Sequence, residues 1–185
     1  MARPSAPRQL NKQTVLGSLS PGERGQVLDA LIAERPELAV EAERLAAELV
    51  SSVSVNDVAA QVEHALRGIP LDALGARAGR VRGGGYVHEV DAAWELVEEA
   101  VEPFRADLER RASLGSVDAA ATLAVGIVAG LCRVREPQMG TVLAYAGEDI
   151  SSELASGALE LAARLGVEVP PGADDEHWPD WTGLL

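Results

Sequence analysis

Residues 116–132 read Ser-Val-Asp-Ala-Ala-Ala-Thr-Leu-Ala-Val-Gly-Ile-Val-Ala-Gly-Leu-Cys, and the fold is decided there. Ser116 stands where a helix cap is expected. Ala120, Leu123, Ala124, Ile127, Val128 and Leu131 then recur at steps of three and four, with further small apolar residues between them. A helix that is apolar on nearly all sides must be covered on nearly all sides, which puts it in the middle of the protein. Its nearly uncharged part, residues 119–132, falls short of the roughly 20 apolar residues that a membrane-spanning helix needs, so the stretch is a buried core helix and no membrane association is expected. Gly126 and Gly130, four apart, make a flat strip on one face. Within membranes this spacing drives dimers; here it predicts close approach of a neighbouring backbone in the same chain. Cys132, at the end of the run, is expected to be a buried and inert thiol.

Outward from this helix the pattern stays helical. Upstream, Val90, Ala93, Trp94, Val97, Ala100, Val101, Phe104 and Leu108 predict a long amphipathic helix to about residue 112, with a kink at Pro103, whose ring lacks an amide hydrogen. Gly115 offers the left-handed stop. Downstream, Glu136-Pro137 ends the central segment, and a weaker helical stretch over residues 141–146 precedes a last helix over 151–165. Its buried stripe is read as Leu154, Ala155, Ala158, Leu159, Ala162 and Leu165.

Nearer the start, Ser20-Pro21-Gly22-Glu23 combines a cap serine, a proline at the first helical position and a glutamate three residues after the cap. The helix it opens, with Val27, Leu28, Leu31 and Ile32 on one face, runs to about residue 34. Pro36 opens a second helix with a stripe of Leu38, Ala42, Leu45, Ala46, Leu49 and Val50, so the two form a helical hairpin. Ser54 and Asp57 repeat the cap pattern before Val55, Val58, Ala59, Val62 and Leu66. Gly68-Ile69-Pro70 closes that third helix, residues 71–78 hold one or two turns, and the glycines within residues 79–88 make a loop.

Alternation of apolar and polar residues is confined to Gly166-Val167-Glu168-Val169. The chain therefore reads as all-α, an irregular antiparallel helical bundle or a short stack of helical hairpins without an exact internal repeat. Residues 1–15 read as a flexible lead, 16–169 as one helical domain, and 170–185 as an acidic tail rich in proline and tryptophan.

Composition narrows the function. The 185 residues are 47% apolar, 24% charged and 3% aromatic, and 29 acidic against 16 basic side chains leave a net charge of −13. That field repels nucleic acid and anionic membrane over most of the surface. A single cysteine forms neither an internal disulfide nor a multi-thiolate zinc site, and no charged-then-apolar leader opens the chain, so a reducing, cytoplasmic setting is expected.

Arg77, Arg80 and Arg82, with Gly83-Gly84-Gly85, Tyr86 and His88, form the one locally basic cluster. Guanidinium forks and close backbone amides suit a phosphate or carboxylate, and so a phosphorylated partner. The segment lacks the lysine and hydroxyl residue of a P-loop and the preceding strand of a dinucleotide site. The plainer reading is a connection whose arginines pair with glutamates of neighbouring helices. Whether packing holds Tyr86 and His88 separates the two.

Glu95, Glu98, Glu99 and Glu102 share one helix, but His64, His88 and His177, the three histidines, stand at no Glu-x-x-His spacing from them, so the acids read as a solvated face. No metal and no cofactor are expected. The serines serve as caps, no Gly-x-Ser-x-Gly elbow occurs, and no catalytic residue emerges. In the tail, Trp178 and Trp181 are costly to leave in water and predict docking, either onto the chain's own helices or into a partner's groove. Trp94 fills core volume.

Leu19-Ser20-Pro21, Val27-Leu28-Asp29-Ala30-Leu31-Ile32, Pro36-Glu37-Leu38, Val58, Val62, Ala65-Leu66, the Tyr86 loop and Ala93-Trp94-Glu95-Leu96-Val97 through Gly115 and Ala120 together resemble the helical region found beside SWIM-type zinc fingers in bacterial proteins. The likeness spans roughly two thirds of the chain. The paired Cys-x-Cys and Cys-x-His ligands that define the finger are missing, so it carries over neither zinc nor DNA binding. It implies an accessory helical interaction region of a bacterial protein.

The leading expectation is thus a non-catalytic helical module that binds another protein through a groove between hairpins, with the arginine-glycine loop or the tryptophan tail at its edge. The alternative is a small-anion or phosphometabolite site on Arg77, Arg80, Arg82 and Tyr86; an enzyme ranks third. An apolar strip left over after helix packing would favour a homodimer.

Overall fold

The computed structural model describes residues 14–80, 85–136 and 138–169. Every long element among them is helical, and the chain is all-α, with a two-residue antiparallel ladder as the one extended pairing among the described residues. The chain divides into two compact units, Met1–Ala46 and Ala47–Leu185.

The first unit holds α1 (Val15–Ser18), α2 (Pro21–Glu34), a 3-10 turn (Pro36–Leu38) and the start of α3 (Ala39–Ser51). Its helices begin where the sequence supplies oxygen to the orphan amides of a first turn. The Thr14 hydroxyl accepts from the Gly17 amide at 3.3 Å. At the start of α2, Ser20 Oγ accepts from the Glu23 amide at 3.4 Å while the Ser20 amide donates to Glu23 Oε2 at 2.8 Å, a complete capping box. That contact lowers the Glu23 pKa, through the Ser20 amide first and its hydroxyl second. The second helix is delayed, because Pro36 opens a single tight turn before α3 proper. Neither α2 nor α3 contains a buried residue.

The second unit continues with α4 (Val55–Arg67), α5 (Leu71–Arg77), β1 (Gly79–Arg80), β2 (Tyr86–Val87), α6 (Glu89–Ser113), α7 (Val117–Arg133), α8 (Val142–Ala146) and α9 (Ile150–Arg164). As its composition predicts, α7 is the centre and packs against α4, α6 and α9, most extensively against α4. Residues 123–131 of α7 are buried without a break. Around them stand Val58, Val62 and Leu66 of α4, Val97, Val101 and Leu108 of α6, and Leu154, Ala158 and Leu161 of α9. Each fully buried leucine or isoleucine in this cluster contributes about 1.5–3 kcal/mol relative to leaving it in water.

The glycine strip behaves as read. A Cβ at Gly126 would lie 2.5 Å from Val58 Cβ, and one at Gly130 would lie 2.6 Å from Val62 Cβ and 2.8 Å from the Ala59 carbonyl oxygen. Both partners advance by four residues together, so α4 and α7 run parallel along this contact. Arg67 Nη2 closes its far end on the Arg133 carbonyl at 3.3 Å.

Helix ends follow backbone chemistry. Gly115, at φ +76, stops α6 while Ser116 N donates to Arg111 O and Gly115 N to Ala112 O, each at 3.0 Å. Gly166, at φ +70, repeats the motif after α9, with Val167 N donating to Ala162 O at 2.9 Å. The alternating segment at residues 166–169 is therefore a helix stop, not a strand, and it turns Val167 into the core at 4% exposure.

Other corrections are local. Ser116 occupies the cap position of α7 without a side-chain cap bond. Cys132 is half-buried. In α9 the stripe ends on Leu161 and Ala162, with Leu159 half-buried and Leu165 exposed. The helix α6 continues through Pro103 to Ser113. The loop of residues 79–88 is closed at its base by pairing of Gly79 with Val87 and Arg80 with Tyr86.

Candidate functional site

Two surfaces hold the residues that could recognise something, one in each unit. In the second unit, Arg77 is the last residue of α5, and α5 packs on α6. Its guanidinium forks onto Glu99, Nη1 to Oε1 at 2.9 Å and Nη2 to Oε2 at 3.0 Å, with Glu95 Oε2 at 3.7 Å. Glu95 and Glu99 are one turn apart on α6, so a single guanidinium reaches both. The hydrogen bonds to Glu99 raise the Arg77 pKa above the ordinary arginine value, burial opposes them, and the charges of Glu99 and Glu95 add to the rise. The arginine is thus charged throughout the physiological range, and its bidentate face is occupied.

Arg80 meets Tyr86 across the short ladder, and Gly79, at φ +109, supplies a backbone conformation that other residues rarely adopt. Tyr86 and His88, two positions apart on an extended backbone, point to the same side and form an edge-on ring pair, centroids 5.1 Å apart at 70°. Tyr86 is 63% exposed and His88 is exposed as well, whereas Val87 between them turns toward the core. Packing against the core therefore does not hold either ring. Arg82, Trp178 and Trp181 lie outside the described residues.

Farther along α6, Glu95, Glu98, Glu99 and Glu102 line a shallow depression of about 300 Å³ together with Arg105. Arg105 is half-buried, and its Nε is buried without a hydrogen-bond partner among the described residues. No group of three or more histidine, cysteine, aspartate or glutamate side chains among the described residues converges as a metal site would require. No helix of the described residues is long and apolar enough to cross a membrane.

Another imbalance of polarity lies on α2, in the first unit, and on α3, whose residues 47–51 belong to the second. Val27 and Leu28 are 44% and 46% exposed, and Leu45 and Leu49 are 51% and 76% exposed. Seven of the fifteen large apolar side chains exposed among the described residues fall between residues 15 and 49. Leu31, Ile32 and Leu38 are half-buried where α2 meets the 3-10 turn. Period and caps make these helices legible in the sequence. That their apolar faces stay in water is a matter of what packs on them, which periodicity does not encode.

No family model matches the chain, and no curated protein or solved structure matches it.

Proposed function

We propose that the chain is a non-catalytic helical module of the bacterial cytoplasm that binds another protein through the apolar faces of α2 and α3. The observation that supports this reading is their exposure: a capped helix of 14 residues and a second of 13, neither with a buried residue. Helices of that length are marginal in water by themselves, and burial of an amphipathic face normally stabilises them. A partner helix laid along the stripe supplies that burial.

The anion-binding alternative at residues 77–88 draws less support, because Glu99 and Glu95 already fill the fork of Arg77. The two readings separate in one experiment. Affinity capture with the full chain should retain a protein partner, lose it in Leu28→Glu with Leu45→Glu, and keep it in Arg77→Ala. Capture that survives the leucine changes would overturn the reading. A thermal shift with inorganic phosphate that disappears in Arg77→Ala would favour the alternative.

A further inference from the structure

We draw no further inference here: the strongest candidate, the shallow depression on α6 that Glu95, Glu98, Glu99 and Glu102 line together with Arg105, is a cluster of acids to which the half-buried Arg105, its Nε unpartnered among the described residues, adds no pointer to a ligand.

Discussion

A methyl group added at Gly130 would stand 2.6 Å from Val62 Cβ and 2.8 Å from the Ala59 carbonyl oxygen, and one at Gly126 would stand 2.5 Å from Val58 Cβ and 3.2 Å from the Val55 carbonyl oxygen, atoms fixed to the α4 backbone or part of it. Overpacking of this kind costs about 1–3 kcal/mol, against a gain of about 1 kcal/mol from replacing glycine by alanine inside a helix. Gly130→Ala and Gly126→Ala should each lower the stability of the second unit by up to about 2 kcal/mol, as read from denaturant midpoints; stabilisation by either would contradict the close α4–α7 contact. Asp107 allows a second test at this scale. Burial pushes its carboxyl up, but hydrogen bonds from Arg111 and Arg110 outweigh burial and hold it below the ordinary aspartate range. Arg111 also donates to the Val50 carbonyl, so the same cluster ties α6 to the end of α3. A carboxylate depressed by folding adds stability that is fully present above its unfolded pKa of about 3.9, and that stability is lost as pH falls through the lower folded value. Asp107→Asn should melt below the wild type at neutral pH, with the two converging as pH drops beneath the ordinary carboxylate range. A gap that persists into strong acid would refute this.

Helix boundaries were legible wherever a side chain or a glycine sets them chemically. Ser20 with Glu23, Ser54 with the Asp57 amide, and the left-handed Gly115 each act where their positions in the sequence place them. What escaped was tertiary. A two-residue ladder leaves no period to read, so β1 and β2 were hidden among glycines. The choice of Leu161 over Leu165 depends on where α9 leaves the core. Arg77 pairs with a glutamate of a neighbouring helix, as the plainer reading of the cluster has it; that the glutamate is Glu99, 22 positions away, has no local signal. The capping box of α2 makes an element-scale prediction. Because α2 contains no fully buried residue, its stability is largely local, and Ser20→Ala should weaken it by about 1 kcal/mol. The change should appear as faster amide exchange within α2, with the main thermal transition unmoved. A shift of that transition would show α2 to be part of the cooperative core.

At the scale of the molecule, the second unit holds the buried core around α7, and in the first the apolar side chains of α2 are half-buried or exposed among the described residues. The core around α7 needs no further partner, since α4, α6 and α9 enclose it. Substituting Leu28 and Leu45 with glutamate should leave the melting transition of the core where it is while abolishing partner capture, because neither side chain belongs to that core. The most direct measurement is amide hydrogen exchange on the free full-length chain. Slow exchange is predicted throughout α7 and its contacts on α4, α6 and α9, with α2 and α3 exchanging orders of magnitude faster. Protection of α2 and α3 equal to that of α7 would mean that their apolar faces are already covered, and would contradict the account.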